Sequence, residues 1–183
     1  MQVDFKTQSS RNILGCLSAM NNKLDHFVSL ESTLPGVITT LTRIMPLYSI
    51  IILDALIGAK QAITWKNSDT DPAIISSAIR NADKTFHYFL HSNGVNPKTF
   101  SSELVESSIH GISDNLTLQV DPKKGFLVAL PLVTSHSSVF GIIQLSCTES
   151  INEGKLGLCN IFAYQISRAM EKNFITPNLP MSL

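Results

Sequence analysis

His87 and His91, in His87-Tyr88-Phe89-Leu90-His91, stand four residues apart. On a helix that spacing stacks two imidazoles one turn apart on one side, where they could share a metal ion. No Asp or Glu lies between them to act as the base of a zinc hydrolase, and two histidines at the solvent edge of an amphipathic helix are the competing reading. His110 is a further imidazole in a stretch without clear periodicity, where it either lines a pocket or lies on the surface. Ser49 and Gln144, the latter with Ser146 close by, are polar groups in runs otherwise built for burial. Buried polar atoms need hydrogen-bond partners, and a ligand, neighbouring backbone or water would supply them. Trp65 ends a short apolar run, a place for either a core residue or a pocket wall. Cys16, Cys147 and Cys159 are odd in number and sit in apolar segments, which points to buried thiols in a reducing, cytoplasmic setting. Thiol catalysis would have to use Cys147 or Cys159 with a nearby His, and it is the least supported of the chemistries.

Whole-chain quantities remove several classes of function. With fourteen acidic and fourteen basic residues among 183, the formal net charge is zero. The longest basic run is Lys123-Lys124, so no surface gathers the cations that phosphate binding requires, and no nucleic-acid partner is expected. The most hydrophobic window, Leu47 to Leu53, stops at Asp54, far short of the roughly 20 residues that cross a bilayer. No basic start followed by an apolar block opens the chain, so neither a secretory signal nor a membrane anchor is expected. Gly154 and Gly157 lack the preceding strand and the third glycine of a phosphate-binding loop.

The elements that must hold these groups can be read from periodicity. Ile13, Leu17, Met20, Leu24 and Phe27 alternate four and three apart, a seam about two heptads long. It suits either a dimer-forming helix or an amphipathic helix lying on its own domain. A second helix is expected from Pro35, through Val37, Leu41, Ile44 and Met45, to Pro46. Leu47–Leu53 and Ala62–Trp65 read as two short antiparallel strands. Asp71 and Pro72 open a longer helix with Ile75, Ile79, Ala82, Phe86 and Phe89 or Leu90 inward, ended by Asn93-Gly94. Residues 97–114 read as a short helix, a lid or a loop, and Leu116–Val120 as a strand. Gly125–Cys147 reads as a hairpin of two apolar arms, the second alternating Phe140, Ile142 and Gln144 against Val139, Gly141, Ile143 and Leu145. A helix from Asn152-Glu153 to about Phe174 closes the order, with Pro177 and Pro180 in a tail. Strands apolar on both faces need helices on both, which predicts an α+β fold of three layers, α/β/α.

Three stretches carry a family likeness. Val128-Ala-Leu-Pro-Leu132, Phe140-Gly-Ile-Ile-Gln-Leu145 and Leu156-Gly-Leu-Cys-Asn-Ile-Phe-Ala-Tyr-Gln-Ile-Ser-Arg-Ala-Met-Glu171 resemble the closing half of a GAF domain. There a strand ends in Pro-Leu, the next carries Gly before aliphatics, and a last helix runs Leu-x-x-Phe/Leu-Ala-x-Gln-Ile-x-x-Ala. The resemblance implies a central antiparallel sheet of five or six strands. Terminal helices would lie on one face, and connecting helices enclosing a small-molecule pocket on the other. It implies residues 1–33 as a helix available for dimerisation, 34–172 as the GAF-like domain and 173–183 as a tail. The function it implies is a sensory or regulatory module, not an enzyme, that binds a small molecule and signals through its terminal helices. Such a module would be a homodimer through Ile13, Leu17, Met20, Leu24 and the C-terminal helix, the alternative being a ligand-free dimerisation or docking scaffold. The candidate ligand-binding set is Ser49, Trp65, His87, His91, His110 and Gln144, with no metal and an unidentified ligand. The cysteine-bearing loop of the family's methionine sulfoxide reductases is absent, as is the Asn-Lys-x-x-Phe-x-x-x-Asp-Glu signature of its cyclic-nucleotide binders.

Overall fold

The computed structural model describes residues 4–55, 60–67, 70–95, 104–108 and 125–174, with side chains from residue 13 onward. Its elements are α1 (Asp4–Asp25), α2 (Leu30–Leu41), β1 (Leu47–Asp54), β2 (Lys60–Lys66), α3 (Pro72–Ser92), β3 (Leu104–Ser108), β4 (Phe126–Val133), β5 (Val139–Cys147) and α4 (Glu153–Phe174). The strand order is β3-β2-β1-β5-β4. Pairings β1–β2 and β4–β5 are antiparallel, as expected from the short links between their strands, and β1–β5, which brings distant parts of the chain together, is antiparallel too. The sheet is nevertheless mixed, because β3 runs parallel to β2, with Lys60 opposite Leu104 and Thr64 opposite Ser108. A parallel neighbour requires a crossover, and α3 provides it. Residues 104–108, read from sequence as a helix or loop, are this edge strand, and its exposed side chains explain why no burial period marked it. The expected strand at Leu116–Val120 lies outside the described residues, as does His110.

All eight residues of β1 and all nine of β5 are buried, so both faces of the central strands are covered. On one side α1, α2 and α4 close over Ile50, Ile52, Ile63, Trp65, Ile143 and Leu145 through Met20, Leu34, Leu41, Phe162 and Ile166. On the other, α3 presents Ile75, Ile79, Ala82, Phe86 and Leu90 to Ile51, Leu53 and Ile142. The layers are therefore the α/β/α arrangement anticipated, with both terminal helices on the same side.

Two local departures have physical causes. Helix α2 begins at Leu30, five residues before Pro35, because Ser29 and Ser32 cap it reciprocally. The Ser29 hydroxyl accepts from the Ser32 amide at 3.2 Å, and the Ser32 hydroxyl accepts from the Ser29 amide at 3.3 Å. Pro35 is thus interior to the helix. In β5 the register slips, pairing Leu132 with Gly141 but Val133 with Val139. This bulge sends Phe140 to the side of Ile143 and Leu145 and Val139 to that of Ile142, reversing the alternation read for those two positions.

The N-terminal seam is occupied within the chain. Met20 and Leu24 are buried in the shared core, with Ile13 and Leu17 packed against it, so these side chains hold α1 on its own domain. The more exposed apolar residues of the terminal helices are Leu14, Leu156, Ile161, Tyr164 and Phe174.

Candidate functional site

The α3 side of the sheet carries the polar groups. Strand alternation places Ser49 on the same face as Ile51, Thr64 opposite Ile51, and Gln144 and Ser146 opposite Ile51 and Ser49. Ser49 and Gln144 are wholly inaccessible, and Ser146 and Thr64 nearly so. Gln144 is held by α3, donating from Nε2 to the Ala78 carbonyl at 3.0 Å and accepting at Oε1 from Asn81 Nδ2 at 3.3 Å. Among the described residues, the hydroxyls of Ser49, Thr64 and Ser146 find no hydrogen-bond partner. Buried hydroxyls left unpaired cost about 1–3 kcal/mol each, so three on one face form an unusual concentration.

The same face bears an ion pair at its far end. Lys60 Nζ, almost fully buried, donates to Asp83 Oδ1 at 2.7 Å and lies 3.4 Å from His87 Nε2. Asp83 and His87 are one turn apart on α3, with 3.6 Å between Oδ1 and Nε2. This arrangement places a cation where a metal would have to sit between Asp83 and His87. His91 is exposed, and no group of three or more metal-ligating side chains is assembled among the described residues.

Of the sequence candidates, then, Ser49 and Gln144 come together, His87 belongs to the Lys60–Asp83 pair on the same side, and His91 faces solvent. Trp65 lies on the opposite side of the sheet, in the core shared by the terminal helices. Thr64, Lys60 and Asp83 were not singled out from sequence. The available signal was the alternation Lys60, Ala62, Thr64, which places two polar residues on one face of an otherwise apolar strand. Among the described residues, surface clefts lie elsewhere. One, of about 120 Å³, is bordered by Glu31, Asp54, Gln61 and Phe174, and another, of about 220 Å³, follows the α1–α4 groove beside Tyr164 and Arg168.

The cysteines are poorly set for nucleophilic work. Burial pushes the Cys147 thiol up to about 12, assisted by neighbouring Cys159, and burial pushes Cys159 up to about 11. At pH 8 only about one Cys147 in 10⁴ would be thiolate, the form that reacts. Brief alkylation of the folded protein at pH 8 should therefore modify at most Cys16, which is half-buried, and all three after unfolding. Mass spectrometry reads the count, and rapid native labelling of Cys147 or Cys159 would refute this placement.

Strands β4 and β5 are tied to the C-terminal helix. Ser167 accepts the Val133 amide at its hydroxyl, 3.1 Å away. At the hairpin turn, Ser135 donates to the Glu171 carboxylate from its amide at 2.8 and 3.0 Å and from its hydroxyl at 2.6 Å. Arg168 adds a contact at 2.7 Å. Hydrogen bonds from Ser135 first, and from Arg168 second, hold the Glu171 carboxyl below its ordinary value. A lowered folded value means the contribution is complete above the unfolded value, about 4.3, and disappears as pH falls through the folded one. From about pH 5 downward the wild-type melting temperature should fall more steeply than that of Glu171→Gln, the curves converging in acid. Parallel curves would show that the contact contributes nothing.

No family model and no curated protein matches the sequence. Among solved structures, the chain is similar to the crystal structure of the A. aeolicus nlh2 GAF domain in an inactive state. The sequence identity is 13% and the TM-score 0.48, over 90% of this chain and 98% of that one. By its own layout, with α1 and α4 on one side of the β3-β2-β1-β5-β4 sheet and the crossover helix α3 on the other, the chain has the α+β, three-layer arrangement expected from its sequence.

Proposed function

We propose that this chain is a sensory or regulatory GAF-like module, not an enzyme, that binds a small molecule on the α3 side of its sheet. The observation that carries the proposal is the set of three buried hydroxyls, Ser49, Thr64 and Ser146, that find no hydrogen-bond partner among the described residues, beside Gln144. A ligand offering hydrogen bonds would relieve a penalty that the free protein bears. The change would pass through β4 and β5, whose turn is latched to α4 by Ser135 and Glu171, provided the ligand favours one arrangement of the terminal helices over another. A homodimer would be formed through the exposed Leu14 of α1 and Ile161 and Tyr164 of α4, since Met20 and Leu24 are engaged internally. The setting consistent with three free thiols is the cytoplasm.

The experiment is thermal unfolding of the wild type and of Ser49→Ala/Ser146→Ala across a metabolite panel. A ligand selective for the native state raises the melting temperature by mass action. The double variant without ligand should match or exceed wild-type stability, by up to about 1 kcal/mol per hydroxyl, because each replacement removes an unsatisfied buried group. It should also lose the ligand-dependent rise. If no compound stabilises the wild type, the protein is a ligand-free scaffold acting through its exposed helix faces. A rise undiminished in the double variant would place the ligand elsewhere.

A further inference from the structure

The polar floor also bears on what kind of molecule it would hold, an inference that rests on the small-molecule reading above. Ser146 and Ser49 are direct register partners on β5 and β1, and Thr64 is on the next strand, β2, opposite Ile51. With strands about 4.8 Å apart and Thr64 two residues further along, the three hydroxyls are spread over roughly 12 Å of the same face. Each is shielded from water, so a ligand reaches them by displacing what covers them.

The charges on this face are already matched or wet. Lys60 is paired with Asp83 at 2.7 Å. Lys66, opposite Ser49, is exposed and its Nζ donates to the Thr70 carbonyl at 3.1 Å. Glu106, on the edge strand β3, is exposed to solvent. Among the described residues, the buried part of the floor therefore offers hydroxyl and amide dipoles and no uncompensated charge. A hydroxyl donates one hydrogen bond and accepts two, and Gln144 retains one N–H and one lone pair beyond its contacts with α3. An ionised group laid on this surface would give up its hydration with no countercharge in return. A molecule carrying donors and acceptors together, but no charge, would satisfy the hydroxyls without that loss.

We infer that the ligand of this site is an uncharged small molecule whose polar edge combines hydrogen-bond donors and acceptors, in the manner of a carboxamide, a urea or a nucleobase. Pairs of related ring compounds that differ in charge test this directly on the full chain: nicotinamide against nicotinate, uracil against orotate, and benzamide against benzamidinium. Melting shifts identify binders and calorimetry measures their Kd. The neutral member of a pair is expected to bind at least about 100-fold more tightly than its charged partner, consistent with a desolvation penalty of several kcal/mol per ion. That binding should weaken at least about 10-fold in Ser49→Ala/Thr64→Val/Ser146→Ala, each lost hydrogen bond contributing about 1 kcal/mol. If the triple variant fails to fold, the three single variants carry the same comparison. Charged members binding as tightly as neutral ones, with the hydroxyl variants still weakening them, would overturn the inference while leaving the ligand site in place. So would a broader panel whose stabilising compounds are all ions dependent on these hydroxyls. Absence of any stabilising compound would remove the site itself, and the inference with it.

Discussion

Phe86→Ala is expected to lower the free energy of unfolding by about 3–5 kcal/mol and to abolish ligand-dependent stabilisation at the same time. Phe86 is completely buried and is the largest inward side chain of α3, whose other buried positions are Ile75, Ala78, Ile79, Ala82 and Leu90. Two of those are alanines, so α3 has little else of comparable size with which to fill a void. Among the described residues, the helix covers its side of the sheet, against Ile51, Leu53 and Ile142. A loss of this size is a large fraction of the 5–15 kcal/mol that keeps a domain of this length folded. Urea unfolding reads the change as a lower midpoint. Loss of the ligand effect is expected because Gln144 is oriented by Ala78 and Asn81 of the same helix, and a helix that reseats cannot hold the amide at 3.0 Å. A cost below about 1 kcal/mol would mean that α3 is not anchored through Phe86. A normal cost with ligand stabilisation intact would separate the site from the helix.

The case of α3 also shows what the chain discloses about itself. Asp71, Pro72, the inward set through Leu90 and the Asn93-Gly94 end were all legible, because a cap, a 3.6-residue period and a glycine at φ 72° are local signals. The three layers were legible for a similar reason, since strands apolar on both faces need two covers. Edge strand β3 was not, because a parallel pairing with β2 leaves no trace in five residues that are mostly exposed. The start of α2 was hidden by a Ser–Ser capping pair where a Ser and a Glu or Gln would have been conspicuous. In the candidate site, Ser49 and Gln144 stood out as polar residues in apolar strands. Thr64 did not, being β-branched and ordinary in a strand; only the register with Ile51 reveals that its hydroxyl shares a face with theirs. Trp65 was drawn towards the pocket by its position near a strand end, yet its parity sends it to the other side with Ile63. Long-range register, not residue type, separates these cases.

Register likewise makes one glycine much less replaceable than others. Gly141→Ala is expected to cost about 3 kcal/mol or more, at the upper end of overpacking, because the obstacle is backbone. A Cβ there would lie 2.5 Å from the Leu53 carbonyl oxygen and 3.1 Å from both Asp54 Cα and Cβ. Those atoms belong to β1, whose eight residues are all buried and whose Ser49–Asp54 stretch is paired on both sides, so the strand cannot retreat without opening the sheet. Gly141 follows the bulge at Phe140 and is the partner of both Asp54 and Leu132, which brings the local crowding to the middle of the sheet. The same chemical change at Gly157, inside α4, meets no atom within 4 Å and should stabilise by up to about 1 kcal/mol through helix propensity. Two identical substitutions are therefore expected to differ by roughly 4 kcal/mol with opposite signs. Denaturant unfolding of both variants measures the difference. If Gly141→Ala were as benign as Gly157→Ala, the bulge and the β1–β5 register would be wrong. Ser49, Gln144 and Ser146 would then no longer share the α3 side, and the polar floor on which ligand binding depends would be dispersed.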